Sequence, residues 1–332
     1  MIEEVKETIR DKLFEIPGIT SVEINRTKEE IIVGVEDITI KELIPDRIAG
    51  YKVVVKYRPP SVAFINRCEK YRPVVAGVSV SAYLPDQSPF AGTLGTFVYD
   101  KDTKNWFILS NLHVLSQFGF GEEPQAGTKI CQPGSYDGGM KEDNIIGYLD
   151  KFIPIDTSML RYNYADAAVA RIYEDIEYKP AIIDEDEHLI KVNGALKEED
   201  LKEGMKVKKY GRSTGYTEGI IDSTSADISV SYAPGITAKF ADVIRVKPTE
   251  DYPFFLFPGD SGSAVLTMDN KFVGLAFAGT LFDSVSDVCK ADYVLSLLDM
   301  EMLSKDYTIY IVGFTAIAGL GLIEESIRRW FT

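Results

Sequence analysis

Cysteine is scarce in this sequence. Only Cys68, Cys131 and Cys289 occur, far apart and without a C-x-x-C spacing. An odd and sparse set excludes a disulfide framework and is typical of a reducing compartment. The first residues, Met-Ile-Glu-Glu, form neither a basic n-region nor an apolar h-region, so no signal peptide is predicted. We therefore expect a cytoplasmic location.

Basic residues and histidines are also few. The 36 Lys and Arg residues are outnumbered by 51 Asp and Glu, which gives a formal net charge of −15. An acidic surface repels phosphate backbones, so nucleic acid is not an expected partner. The two histidines leave no His-rich metal site, and no P-loop pattern of glycines occurs. The sequence therefore predicts neither a metal nor an organic cofactor.

Hydrophobic patterning divides the chain into segments. A helix and three strands come first, and from residue 76 many short β-rich runs alternate with Gly and Pro turns, which is typical of a β-barrel or sandwich. An acidic stretch around residues 175–200 separates these runs into two sets, so we predict two barrels in a mainly β fold. The expected segments are a small α/β module (1–57), a linker (58–75), a first β-barrel (76–175), a second β-barrel with a C-terminal helix (176–303) and an apolar tail (304–332).

The sequence G-D-S-G-S at 259–263 has the clearest chemical pattern, and it lies at the start of a predicted strand. Glycines on either side of Ser261 permit a tight turn and leave the hydroxyl unshielded. They also free the backbone N–H groups of Gly259 and Ser261 to act as an oxyanion hole in acyl transfer. Asp260 between them is expected to fix the loop. The alternative is an ordinary turn at the start of a strand.

A nucleophilic serine needs a base, and the chain offers two histidines. His188 follows four consecutive acidic residues, which predicts an exposed loop. His113 stands where a hydrophobic strand meets a polar break, so it either projects into a cleft or remains a core or edge residue. Asp166, just before an apolar strand, is a candidate to hold the imidazole in the right tautomer. Asp156 and Asp175 are less suitable because their neighbours are typical of solvated loops.

These three residues occur in the order His113, Asp166, Ser261. Their surroundings, L-S-N-L-H-V, A-D-A-A-V-A and G-D-S-G-S, resemble the histidine, aspartate and serine motifs of trypsin-like, chymotrypsin-fold serine peptidases. The resemblance covers roughly residues 76–300 and implies a double β-barrel with the triad between the barrels. It also implies cleavage of a polypeptide substrate: His113 removes the Ser261 proton, Ser261 attacks the carbonyl and Asp166 stabilises the imidazolium.

A narrower resemblance is to the bacterial and plant subgroup that includes the rice narrow-leaf peptidase, whose members carry a small N-terminal α/β module. Leu112 departs from the more usual Asn or Ala before the histidine, but that position has no chemical role. The subgroup resemblance rests on four stretches: Y-R-P-V-V-A-G-V-S-V at 71–80, A-G-T-L-G-T at 91–96, Q-P-G-S-Y-D-G-G at 132–139 and Y-G-R-S-T-G-Y-T-E-G at 210–219.

The trypsin-like arrangement also implies a pocket for the side chain before the scissile bond. Its base is expected shortly before the serine and its wall on the strand after it: Phe254, Phe255 and Leu256, then Ala276, Phe277, Ala278 and Gly279. None of these residues carries a charge, so a Lys or Arg side chain would be buried there without a counter-ion. We therefore expect a preference for small or apolar side chains.

Three other classes of function stay open at this stage. The chain could be a catalytically silent binding module that kept the fold, or an assembly protein whose peptidase acts once on itself. It could also be an esterase or another hydrolase, because acyl transfer on a Ser-His-Asp site is not limited to peptide bonds.

The tail contains 17 consecutive uncharged residues, 307–323, followed by Arg328, Arg329 and Trp330. An apolar run of this length is not expected to stay exposed on a protein in water. It could be buried against the barrels, be buried in a homo-oligomer interface, or attach to a membrane through the basic-aromatic end. We predict burial within the chain or between copies, because the acidic net charge disfavours an anionic bilayer.

Deletion of residues 305–332 should therefore lower stability or change the assembly size without removing a candidate catalytic residue. Light scattering and thermal unfolding of the full and shortened chains measure both effects. Flotation of the full chain with liposomes, lost on truncation, would instead support membrane attachment.

Overall fold

The computed structural model describes residues 1–58, 66–116, 118, 123–280 and 282–303. The chain divides into two compact units, residues Met1–Phe64 and Ile65–Thr332. The apolar tail and its predicted oligomer or membrane contacts lie outside the described residues. In the part of the chain that is described, no helix is long and apolar enough to cross a membrane.

The first unit contains one helix and a four-stranded sheet. Its elements are α1 (Ile2–Phe14), β1 (Ile19–Asn25), β2 (Glu30–Val35), a 3-10 turn (Ile38–Leu43), β3 (Arg47–Ile48) and β4 (Tyr51–Tyr57). The strand order is β1-β2-β4-β3, with β2 and β4 parallel. Leu13 of the helix is buried with Ile31, Val33 and Val35 of the central strand, so this unit has its own core.

The second unit begins with the first of two large sheets. Its early elements are β5 (Val74–Ala76), β6 (Val78–Ala82), β7 (Gly92–Leu94), β8 (Thr96–Asp100), β9 (Asn105–Ser110), α2 (Leu112–Leu115), β10 (Lys129–Cys131), 3-10 turns (Ser135–Asp137 and Glu142–Asn144), β11 (Ile145–Phe152), β12 (Tyr162–Asn163) and β13 (Ala168–Ile172). Seven strands form one sheet in the order β7-β6-β10-β11-β13-β9-β8.

The second large sheet follows. The elements of this part of the chain are β14 (Tyr178–Ile183), β15 (Leu189–Ile190), a 3-10 turn (Glu198–Asp200), β16 (Lys206–Gly211), β17 (Gly215–Ala233), β18 (Ile236–Pro248), β19 (Ala264–Thr267), β20 (Phe272–Gly279), β21 (Ser286–Lys290) and α3 (Ala291–Leu298). Strands β16 to β21 join β12 in the second large sheet. Its order is β12-β18-β17-β16-β19-β20-β21, and a further pairing of β18 with β21 closes it into a barrel. The predicted mainly β fold with two barrels is confirmed.

Residues 66–75, which we predicted as part of a linker, belong to the second unit. The buried guanidinium of Arg67 donates to the carbonyl oxygens of Gly77 and Ile183, each at 2.9 Å. Strand β5 pairs in parallel with β14 in a small three-stranded sheet with β15. A buried guanidinium needs acceptors, so these contacts fix the segment onto the barrels.

The largest difference from the sequence prediction is the length of the β17–β18 hairpin. Sequence patterns alone predict separate strands at 219–221, 228–232 and 243–246, but irregular pairings between β17 and β18 keep one hairpin continuous. Its outer part, residues 226–243, is here called the hairpin arm. Ile228, Val230 and Tyr232 pack against the core from one face of the arm, and the alternate residues are exposed. This period of two is what a half-buried strand requires.

Val294, Leu297 and Leu298 recur at helical spacing and predict a C-terminal helix over 291–303, but the observed helix is shorter. It ends after Leu298 because Asp299 adopts a left-handed backbone conformation, with φ of 55°. Glu301 then pairs with Tyr99 through two backbone hydrogen bonds of 2.8 and 2.9 Å. The segment that follows the last helix of the second barrel is thereby hydrogen-bonded to strand β8 of the first barrel.

Candidate active site

His113 lies at the edge of the first barrel. Strand β9 ends at Ser110, and the single turn α2 follows directly, with Leu112, Val114 and Leu115 buried in the core. These three apolar side chains hold the turn against the barrel. The His113 side chain points away from them and keeps 21% of its surface exposed. Of the alternatives left open by the sequence, a buried core histidine is thereby excluded, and projection into a cleft stays a prediction.

The Asp166 carboxylate has no exposed surface and lies against His113. Its Oδ2 is 2.5 Å from His113 Nδ1, and its Oδ1 accepts hydrogen bonds from the backbone N–H groups of Leu112 at 2.7 Å and His113 at 3.3 Å. A carboxylate only accepts hydrogen bonds, so Nδ1 carries the proton in this pair. In the neutral ring Nε2 is therefore the basic nitrogen.

The Asp166 backbone is also fixed. Its carbonyl oxygen accepts from Asn111 Nδ2 at 2.7 Å, and its N–H donates to the Cys289 sulfur at 3.3 Å. Burial raises the pKa of the Cys289 thiol well above its usual value, so the sulfur is a neutral acceptor. The hydroxyl of Tyr232 donates to Asp166 Oδ2 at 2.8 Å, a contact that no sequence motif indicated.

Ser261 lies on a turn that only glycine can complete. Gly262 has a φ of +92°, and a Cβ atom there would lie 2.2 Å from Ser110 Oγ and 2.3 Å from the Thr93 carbonyl oxygen. This close approach lets the Thr93 N–H donate to the Ser261 carbonyl at 2.7 Å. Strand β7 of the first barrel thus holds the serine loop of the second.

The hydroxyl of Ser261 is directed at the Phe277 carbonyl oxygen, 3.5 Å away. Within the described residues no hydrogen bond joins it to His113. Gly92 lies between the serine loop and Val114, the residue after His113. A Cβ atom on Gly92 would lie 2.4 Å from Val114 and 2.8 Å from the Ser261 carbonyl oxygen. The structure therefore contains a formed His–Asp pair with the serine loop beside it, and the complete triad stays a prediction.

The two predicted oxyanion donors, Gly259 and Ser261, are the residues of the loop whose backbone N–H groups donate no hydrogen bond within the described part of the chain. Neighbouring N–H groups are bonded: Asp260 to the Phe257 carbonyl at 2.9 Å, and Gly262 to the Ala276 carbonyl at 2.8 Å. In the described part of the chain, neither the Gly259 nor the Ser261 N–H donates a hydrogen bond. Gly259 reaches this conformation with a φ of +96°. Both N–H groups are therefore available to a ligand, and their role as oxyanion donors stays a prediction.

Asp260 fixes the loop through a fully buried ion pair with Lys209 at 3.3 Å. The carboxylate also accepts from the backbone N–H groups of Ser213 at 2.8 Å, Thr214 at 3.1 Å and Phe257 at 2.9 Å. Burial lowers the pKa of Lys209, and the Asp260 charge acts against that shift. The sequence carried no clear signal for Lys209, since β16 has buried residues on both faces, among them Val207, Lys208 and Tyr210.

A second ion pair joins two stretches that carried the subgroup resemblance. Arg212 donates from Nε and Nη2 to the two oxygens of Asp137, both at 2.6 Å, and Ser79 donates to the same carboxylate at 2.5 Å. Burial acts to raise the pKa of Asp137, but the bonds from Arg212 and Ser79 outweigh it and lower the pKa. The pair stands beside the loop, because a Cβ on Gly259 would lie 2.7 Å from Arg212 Nη1.

The predicted pocket residues divide by burial. Three have buried side chains in the barrel cores: Phe255, Ala276 and Phe277. Four keep accessible surface: Phe254, Leu256, Ala278 and Gly279. A side chain already surrounded by core neighbours cannot line an open pocket, so only these four remain candidates. No group of three metal-ligating side chains comes together among the described residues.

Replacement of Lys209 by Met should lower the free energy of unfolding by about 3–5 kcal/mol, because it leaves Asp260 buried without its counter-ion. Urea unfolding measures the change. The matched control is Lys247→Met, which breaks a surface pair with Asp222 and should cost less than about 1 kcal/mol. Equal losses in the two variants would contradict the importance of the buried pair.

No protein-family model matches the chain. Among solved structures, it is similar to Protease A of Thermobifida fusca (TM-score 0.49, 15% identity, 69% of this chain and 98% of that one). It is also similar to a Nocardiopsis protease (TM-score 0.49, 12% identity, 69% and 98%) and to a chymotrypsin of Cellulomonas bogoriensis (TM-score 0.47, 14% identity, 70% and 99%).

Likenesses at such identities leave the activity open. The chain's own topology is sufficient for the fold: two seven-stranded sheets, the second closed by β18–β21, with His113 and Asp166 on the first and Ser261 on the second. The second unit of this chain is a chymotrypsin-like double β-barrel.

Proposed function

We propose that the chain is a serine endopeptidase that forms an acyl-enzyme on Ser261. The observation that supports this most is the His113–Asp166 pair: a carboxylate without exposed surface 2.5 Å from Nδ1 of a partly exposed imidazole. Such a pair holds one tautomer and leaves Nε2 as a base. The unpaired N–H groups of Gly259 and Ser261 support the same reaction, since they are free to bind an oxyanion.

In the proposed reaction, His113 Nε2 takes the hydroxyl proton as Ser261 Oγ bonds to the scissile carbonyl carbon. The carbonyl oxygen becomes an oxyanion held by the two free amides, and Asp166 stabilises the imidazolium. His113 then gives its proton to the leaving amine, and water releases the acyl group by the same steps in reverse roles. The chemistry draws only on side-chain and backbone groups of this chain.

The contacts of Asp260 support the proposal that the enzyme is active without proteolytic activation. Its carboxylate is already satisfied by Lys209, by the Thr214 hydroxyl at 2.6 Å and by backbone amides. The serine loop therefore does not depend on a newly created amino terminus for its charge balance.

We propose that the substrate is a polypeptide. On the resemblance of the motifs, we also propose that the chain belongs to the subgroup with an N-terminal α/β module. The three unpaired cysteines favour a cytoplasmic location.

The alternative function is a catalytically silent binding module, and one observation bears on it. The Ser261 hydroxyl is bonded to the Phe277 carbonyl oxygen at 3.5 Å, not to a base. A fluorophosphonate probe separates the two functions, because only an activated serine attacks phosphorus. A self-processing assembly protein is distinguished by mass spectrometry of the purified chain, and an esterase by comparing matched ester and peptide substrates.

Ser261→Ala and His113→Ala should each reduce peptide hydrolysis by at least about 10³-fold, because triad members act as a unit. The matched control is His188→Ala, since the only other histidine of the chain is exposed. Fluorophosphonate labelling and hydrolysis are measured on all three variants. Activity in His188→Ala should equal that of the wild type. Retention of a tenth of the rate in either triad variant would refute the assignment.

The side chain before the scissile bond should be small or apolar. The four accessible pocket candidates, Phe254, Leu256, Ala278 and Gly279, carry no charge that could compensate a buried Lys or Arg. A peptide library with mass-spectrometric detection of cut sites gives the profile. The Ser261→Ala chain, digested in parallel, identifies cuts made by a contaminating protease. A profile dominated by Arg or Lys at this position would exclude the proposed pocket.

A further inference from the structure

We propose that Tyr232 is a positioning residue of this site, which holds the Asp166 carboxylate in place for His113 and sets how strongly that carboxylate attracts the imidazolium. The role in catalysis rests on the proposed function, whereas the contact itself does not. The Tyr232 hydroxyl donates to Asp166 Oδ2 at 2.8 Å, and this is the same oxygen that lies 2.5 Å from His113 Nδ1.

The aromatic ring of Tyr232 is fixed independently of its hydroxyl. It meets Phe118 edge to face with centroids 4.8 Å apart, lies 5.5 Å from the His113 ring at a tilt of 57°, and lies 6.4 Å from Phe240. These contacts orient the ring without any help from Asp166. Removal of the hydroxyl alone should therefore leave the ring where it is.

The hydroxyl can act only as a donor in this contact. Burial, followed by the nearby charge of Asp166, raises the pKa of Tyr232 well above 10, so the phenol keeps its proton. The groups that face Asp166 are the His113 ring, the Tyr232 hydroxyl, the Cys289 sulfur at its backbone and the amides of 112 and 113. Among the side chains named here, Tyr232 is the one that donates a hydrogen bond to the carboxylate without taking part in proton transfer.

The hairpin arm that carries Tyr232 is bonded to the segment that carries Asp166. Strand β12 pairs in parallel with β18, with Tyr162 opposite Lys239 and Asn163 opposite Phe240. Asn163 Nδ2 also donates to the Lys239 carbonyl oxygen at 2.9 Å. The arm belongs to the second barrel and Asp166 leads into the first, so the Tyr232–Asp166 bond is set by how the two barrels meet.

The sign of the effect on His113 follows from the charge. A hydrogen bond from Tyr232 draws negative charge density from Asp166 Oδ2. When this hydrogen bond is removed, the Asp166 carboxylate attracts the imidazolium more strongly. A stronger attraction from this negative charge favours the protonated form of the His113 ring. Tyr232→Phe should therefore move the titration midpoint of His113 to higher pH, by about 0.5–1 unit. Greater freedom of the carboxylate should also lower kcat about 5- to 20-fold with little change in KM.

The test is an NMR titration of the imidazole Hε1 protons in the full chain carrying Ser261→Ala, so that it needs no turnover and no self-digestion can occur. Only two resonances are expected, and exposed His188 serves as the internal reference. The matched control is Tyr293→Phe, which removes an equivalent hydroxyl–carboxylate bond to Asp242 at 2.9 Å. We expect the His113 midpoint to rise in Tyr232→Phe only, with the His188 midpoint unchanged in both.

A second variant, Tyr232→3-fluorotyrosine, keeps the hydroxyl and makes it a stronger donor, so the His113 midpoint should fall. It decides the question alone if Tyr232→Phe does not fold. An unchanged His113 midpoint in a folded variant, or shifts of the same sign in both, overturns the proposal. Rates measured with Ser261 restored address the catalytic part separately: a chain that never hydrolyses peptides refutes the proposed function and leaves the titration result standing.

Discussion

A carboxylate can be buried in a protein only where donors or a counter-ion replace its water, and this chain buries two at its candidate site. Asp166 is met by two backbone amides, His113 and Tyr232, and Asp260 by Lys209 and the amides of the neighbouring turn. Neither charge is tolerable if its partners move apart. The positions of the imidazole and of the serine loop therefore follow from the same requirement.

These requirements reach across the two barrels. Thr93 of the first barrel donates its N–H to the Ser261 carbonyl and its hydroxyl to the Gly259 carbonyl at 3.0 Å. Arg212 of the second barrel binds Asp137 of the first through two short bonds. The serine loop is thus held on its own barrel by a buried charge and on the other by hydrogen bonds. Glycine at position 262 is required for this approach, because even a Cβ atom there would overlap Thr93 and Ser110.

The sequence was sufficient to find those candidate residues that a short motif or the end of a strand marks. The G-D-S-G-S turn, the strand end at His113 and the apolar strand after Asp166 are all visible within a few positions. Lys209 could not be singled out, because β16 carries three lysines and its burial does not alternate. Tyr232 could not, because its role depends on a hairpin whose irregular pairings sequence patterns do not predict and on a partner 66 residues away. The buried state of Phe255, Ala276 and Phe277 was also missed, because an apolar run does not show which of its side chains face the core.

The separation in sequence of the partners has a consequence for the order of events during folding. His113 and Asp166 are 53 residues apart, Lys209 and Asp260 are 51 apart, and the Thr93–Gly259 bond spans 166. Closing such long loops is slow relative to forming local hairpins. A chain that has formed only its first barrel holds a histidine and an aspartate but no serine beside them. The complete set of groups is present only after both barrels have docked, so a partly folded chain carries the His113–Asp166 pair without the serine loop of the proposed site.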